Sequence, residues 1–147
     1  MIPCESLLTY FFLSFLGVLH ANHPLVTKAV LKVLRHCDNL YSFTWIDDTS
    51  VFPAAFLSFL DVLRGLPLRA ITLRTYSDLG EDAWTLLNTF TNLQKVEIWS
   101  MNGPPRVLQG WAPLLGGTLT ELELGVGIHF VRDPHHGIFT KVSIHAM

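Results

Sequence analysis

The sequence predicts an α/β chain in which a short strand returns at a regular interval, with a helical segment in each gap, so that the strands line up in a parallel sheet. Three observations predict it. A six-position frame of one apolar residue, two spacers, an apolar residue, one spacer and a last apolar residue occurs four times: Leu40-Tyr41-Ser42-Phe43-Thr44-Trp45, Leu68-Arg69-Ala70-Ile71-Thr72-Leu73, Leu93-Gln94-Lys95-Val96-Glu97-Ile98 and Leu119-Thr120-Glu121-Leu122-Glu123-Leu124. The first positions, Leu40, Leu68, Leu93 and Leu119, are spaced by 28, 25 and 26 residues. Each gap holds apolar residues at helical spacing, bounded by proline, glycine or acidic turn residues.

A supersecondary unit that recurs every 20 to 30 residues and cannot bury its own apolar faces is the signature of a leucine-rich-repeat solenoid. We therefore expect a short leucine-rich-repeat-like solenoid of about four strand-loop-helix units, with a helical N-terminus and an irregular C-terminal end. Residues 1–21 form an apolar N-terminal segment, 22–125 the solenoid and 126–147 the tail.

Bulk composition agrees with a binding module. Of 147 residues, 50% are apolar and 15% charged, against about a quarter charged in ordinary globular chains. Such a chain folds, and it carries more apolar surface than a short domain easily buries. The formal net charge of -2 supports neither a nucleic-acid nor a polybasic membrane reading. Cys4 and Cys37 lack metal-ligand spacing and read as reduced thiols of an intracellular protein. No Asn-x-Ser/Thr acceptor occurs.

Taken in order, Leu7 to Leu19 is the most apolar run. It has the length of a signal-peptide core, but it is preceded by Glu5 rather than by Lys or Arg. It is also short of the roughly 20 residues that a membrane span needs. At helical spacing it presents Leu8, Phe11, Phe12, Phe15 and Leu19, and it reads as a buried or capping helix, with targeting segment as the alternative. Pro24 then opens a helix whose apolar side is Ala29, Val30, Val33 and Leu34, with Lys28, Lys32 and Arg35 between them.

The first frame ends in a loop, Ile46-Asp47-Asp48-Thr49-Ser50. Pro53 then opens a second helix, expected from about Ala54 to Arg64 and closed by Gly65. After the second frame, Asp78-Leu79-Gly80-Glu81-Asp82 supplies a turn and an acidic first helical turn for Trp84, Leu86, Leu87 and Phe90. The third frame leads into Asn102-Gly103-Pro104-Pro105, read as a loop. A short helix with Val107, Leu108, Trp111 and Leu115 comes next, interrupted by Gly110 and stopped by Gly116-Gly117. Beyond the fourth frame, residues 127–131 and 138–144 flank Arg132-Asp133-Pro134-His135-His136-Gly137 as a hairpin would.

The frame assigns interior and exterior. Its first, fourth and sixth positions point inward; the third, fifth and seventh face outward and build ladders across the sheet. The candidate protein-binding residues on that expected concave face are Thr44, Ile46, Thr72, Arg74, Lys95, Glu97, Trp99, Glu121 and Glu123, grading from hydroxylated to acidic. Arg74 and Trp99 lead, because these types carry the most energy at interfaces. The competing reading packs Trp99 on its neighbours and pairs Arg74 with Glu97 or Asp78.

Catalytic motifs are absent from the sequence. His20 with His23, and His129 with His135 and His136, lack the cysteines or carboxylates of a zinc pattern. The acidic pairs Asp47-Asp48 and Glu81-Asp82, and Glu121 with Glu123, read as solvated groups. No enzyme activity, metal or cofactor is expected.

The wording of the repeats resembles the leucine-rich-repeat region of fungal F-box proteins. The carrying segments are residues 40–48, Val62-Leu63-Arg64-Gly65-Leu66-Pro67-Leu68-Arg69, and Ile98-Trp99-Ser100-Met101-Asn102-Gly103-Pro104-Pro105 continuing to Trp111. The resemblance covers roughly residues 24 to 125. It implies a surface that recognises the substrate of a ubiquitin ligase in cytoplasm or nucleus. The chain departs from that family in two ways: no F-box is read in residues 1–39, and Asp48, Tyr76, Met101 and Gly127 stand where Asn or Cys usually follows the frame. The expected partner is thus a protein, with no nucleic acid and no membrane, and with association through uncapped solenoid ends open to it. The alternative is a secreted or membrane-anchored repeat protein targeted by residues 7–19.

Overall fold

The computed structural model describes residues 24–47, 53–75, 78–126 and the backbone of 142–145. The order is α1 (Pro24–Leu34), β1 (Ser42–Asp47), α2 (Pro53–Leu63), β2 (Ala70–Thr75), α3 (Glu81–Leu87) and β3 (Lys95–Trp99). A continuous helical run follows, α4 (Gly103–Arg106), a π-helical turn (Val107–Trp111) and α5 (Ala112–Leu115), and then β4 (Glu121–Gly125) and β5 (Val142–His145). The chain is thus α/β. The sheet order is β1-β2-β3-β4-β5, with β1 to β4 parallel and β5 antiparallel to β4.

The frame sets the register. Phe43 pairs with Ile71, Ile71 with Val96, and Val96 with Leu122; Trp45, Leu73, Ile98 and Leu124 form the next inward row. Equivalent positions of each unit are therefore hydrogen-bonded neighbours. The lead-in to each strand repeats as well. Tyr41 O accepts from the N–H of Arg69 and Ala70 at 2.8 and 2.9 Å, and Arg69 O accepts from Gln94 and Lys95 at 2.7 and 3.0 Å. Gln94 O accepts from Thr120 and Glu121 at 2.8 and 3.0 Å. One forked carbonyl, at the second frame position, thus joins each unit to the next.

The core lies between the sheet and the helices. Leu40, Phe43, Trp45, Leu68, Ile71, Leu73, Leu93, Val96, Ile98, Leu122 and Leu124 are buried, as the frame requires, while Leu119 of the last unit is only half-buried. Trp45 meets Phe56 and Phe59 of α2 with ring centroids 5.0 and 5.6 Å apart and tilted planes, a favourable aromatic geometry. Trp111 donates its indole N–H to Phe90 O at 3.0 Å inside the core, tying the π turn to the segment after α3.

Several local expectations need correction. Gly103-Pro104-Pro105 is the first turn of a helix rather than a loop, since proline lacks only an N–H that a first turn leaves unbonded anyway. Gly65 does not close α2 in the left-handed region; the chain leaves the helix through tight bonds from Gly65 to Val62 and Leu66 to Leu63. Leu108 is exposed, because the wide π turn keeps Val107, Trp111 and Leu115 inward and turns it out. On α1, Val33 is 60% exposed, and Thr27 with Leu34 faces the core instead. The expected pairing of residues 127–131 with 138–144 lies outside the described residues, apart from the backbone of β5, which pairs with β4. The apolar run 7–19 and the histidine groups also lie outside them.

Candidate functional site

On the outer side of the sheet the odd frame positions form three rows. Ser42, Ala70, Lys95 and Glu121 make the first; Thr44, Thr72, Glu97 and Glu123 the second; Ile46, Arg74, Trp99 and Gly125 the third. Neighbours in a row are one strand spacing apart, about 4.8 Å. All nine candidate residues therefore share one face of four adjacent strands. Seven are half-buried; Glu97 and Trp99 are buried, at 8% and 7% exposure.

The middle of the face is held by ion pairs. Arg74 donates from Nε to Glu97 Oε1 at 2.8 Å, and its Nη2 binds the same oxygen. The guanidinium carbon lies 5.7 Å from the centroid of the Trp99 ring, within cation–π range. Arg74 thus pairs with Glu97 and also sits on Trp99, joining β2 to β3 in one cluster. Glu97 faces Glu123 across the β3–β4 pairing. Two carboxylates in that position repel, and the Arg74 charge on Glu97 offsets the repulsion.

Lys95 bonds Glu121 across the same strands at 2.8 Å. That bond, with the added charges of Glu97 and Glu123, raises the Lys95 pKa above its usual 10.5 against a smaller opposing effect of burial. Lysine at this place stays protonated at all physiological pH.

Trp99 is buried because of what stands beside it. Gly125 is its partner in the row, and a side chain there would run into the six-membered ring of the indole. Glycine leaves room for the ring beside β4, the packing on neighbours that the competing reading held; the part played by Gly125 was not read from the sequence. The signal was present in the row itself, a large residue next to the smallest one.

A hollow of about 180 Å³ lies on the helix side, lined by Trp84, Asn88, Arg106, Gln109 and Gly110. Arg106 is fixed there by a two-point ion pair with Glu81, Nη1 to Oε2 at 3.1 Å and Nη2 to Oε1. No sequence motif marked this hollow, since it depends on the π turn bringing Gly110 over Trp84. Among the described residues no group of three His, Cys, Asp or Glu could hold a metal ion, and no helix is long and apolar enough to cross a membrane.

Comparison with known proteins found no match: no family model, no curated protein and no solved structure is similar to this chain at a significant level.

Proposed function

We propose that the chain is a non-enzymatic protein-interaction module, a short leucine-rich-repeat-like solenoid that holds a protein partner on its strand face. The observation that carries the reading is the register: Thr44, Ile46, Thr72, Arg74, Lys95, Glu97, Trp99, Glu121 and Glu123 stand in rows across four parallel strands. A surface of ordered rows, each offering a different chemistry, suits a polypeptide ligand better than a small molecule, which needs an enclosing cavity. The Arg74-Glu97-Trp99 cluster adds a pre-positioned arginine, which lowers the ordering cost of a contact.

Similarity in repeat wording to the F-box family suggests the finer reading, recognition of a ubiquitin-ligase substrate in cytoplasm or nucleus. The test is retention of proteins from extract by the full chain and by an Arg74→Ala, Glu123→Ala double variant. A protein held by the first and lost, by at least about tenfold, from the second supports the reading; tenfold corresponds to about 1.4 kcal/mol. Retention unchanged in that variant but abolished by Asn88→Ala with Gln109→Ala moves the site to the helix side. Turnover of a small molecule by the folded chain, with no protein partner recovered, rejects the module altogether.

A further inference from the structure

Every step along the sheet from β1 to β4 is the same unit, a strand, a helical segment and a parallel strand one place further on. Each step is joined at its start by the second frame carbonyl, that of Tyr41, Arg69 or Gln94, which accepts from two N–H groups of the next unit. The two ends of the described series carry its unmatched halves. α1 is a helix that leads into β1, with no strand before it among the described residues, and β1 is paired there on one side, to β2. β4 is a parallel strand followed, among the described residues, by β5 rather than by a helix. The α1–β1 end of one copy, set beside β4 of another, completes one more strand-helix-strand step.

The backbone is oriented for that step. Tyr41 turns its carbonyl to β2, where the N–H groups of Arg69 and Ala70 meet it. Successive residues of a strand turn their backbone groups to opposite edges, so Ser42, Thr44 and Ile46 turn theirs away from β2. Glu121 gives its N–H to Gln94 O on the β3 side, so Leu122 and Leu124 turn theirs away from β3. These are the third, fifth and seventh frame positions on one edge and the fourth and sixth on the other, the same sets that meet at each internal step. Apolar side chains are exposed at both ends of the helix layer too, Leu25, Val26 and Val33 on α1 and Leu108 and Leu114 on the last helical run.

β5 lies on β4 instead. It runs antiparallel, with Leu122 opposite Ile144 and Leu124 opposite Val142. It therefore takes the backbone edge that a second copy needs. An open strand edge is a template for another chain, and covering it prevents the pairing. A head-to-tail step of this kind does not close on itself, so without a cover it grows into a filament.

We propose that β5 is a displaceable cap on a self-complementary junction: paired to β4 it keeps the chain monomeric, and once it leaves, β4 accepts the α1–β1 end of a second copy. The inference is independent of the strand-face reading. It is tested on the full chain by light scattering over a concentration series. Val142→Pro with Ile144→Pro removes the two β5 N–H groups that face Leu124 and Leu122; Ile144→Gly is a milder variant that weakens the strand. Circular dichroism checks the fold of each, and the proline variant decides where it folds, the glycine variant otherwise. The expected result is a monomeric wild type and a variant whose mass rises at least twofold with concentration. Thr44→Pro takes an N–H from the open edge of β1 and none from its pairing with β2, so adding it to the variant should restore the monomer. A folded variant that stays monomeric overturns the proposal, as does growth that Thr44→Pro leaves unchanged, or a wild type that already associates. Loss of the folded signal in both variants makes β5 part of the folding unit rather than a cap and overturns it too.

Discussion

Arg74 shows how much of one residue's role is set by its row. It lies between a half-buried isoleucine and a buried tryptophan, and its charge is spent on Glu97. Glu97 is buried and faces Glu123, so Arg74→Ala leaves a buried carboxylate without its cation and should lower stability by about 1–3 kcal/mol as well as weaken partner binding; urea unfolding, beside a binding measurement made well below the unfolding transition, separates the two. Gly125→Ala should lower stability by a steric route instead. The added methyl meets the Trp99 ring, and overpacking of this kind costs about 1–3 kcal/mol, read as a lower urea midpoint. Lys95 makes a statement about pH. Its pKa is raised in the fold, so its contribution is whole below 10.5 and fades as pH rises above it. Glu121→Gln should bring the Lys95 pKa down towards 10.5, followed by NMR of the lysine carbon next to Nζ; an unchanged or higher value contradicts the assignment of Glu121 as the main cause.

At the scale of elements, the strands were legible and several element ends were not. The strand frame is a period-two pattern with leucine-like residues at fixed places, and one register satisfies all four copies, so Phe43, Ile71, Val96 and Leu122 fell into one inward row as expected. Helix boundaries are decided by a few local bonds instead. Gly103-Pro104-Pro105 carries the residues of a loop and of a helix first turn alike, and only the continuation through Trp111 distinguishes them. The burial of Val33 depended on which side of α1 the sheet would take, and the apolar pattern supported two sides. The cross-element core yields a direct prediction. Phe59→Ala removes a ring packed on Trp45 and should cost about 3–5 kcal/mol, whereas Ser58→Ala, exposed one residue away, should stay within about 0.5 kcal/mol. Chemical denaturation of the two variants provides the comparison, and equal effects would deny α2 its packing against β1.

For the whole molecule, the proposed binding face follows from the fold, because among the described residues the helices pack on one side of the parallel sheet and the odd frame positions of four strands share the other. That surface was legible down to its rows, but its relief was not. Trp99 and Glu97 are floor, since Gly125 admits the indole and Arg74 covers the carboxylate, which is the competing reading of Trp99 and Arg74 rather than the one that put them foremost in a partner contact. Relief depends on pairs of neighbours in different units, which a repeat-by-repeat reading does not compare. The helix-side hollow at Gly110 was likewise invisible, being made by a turn type that no pattern in the chain announces. The central claim is that the strand face, and not the helix face, meets the partner. Its most direct test is photo-cross-linking in cell extract with benzoylphenylalanine placed at Thr72 in one sample and at Gln109 in another. The account predicts a discrete protein adduct at position 72 and none at 109; an adduct at 109 with none at 72 would contradict it.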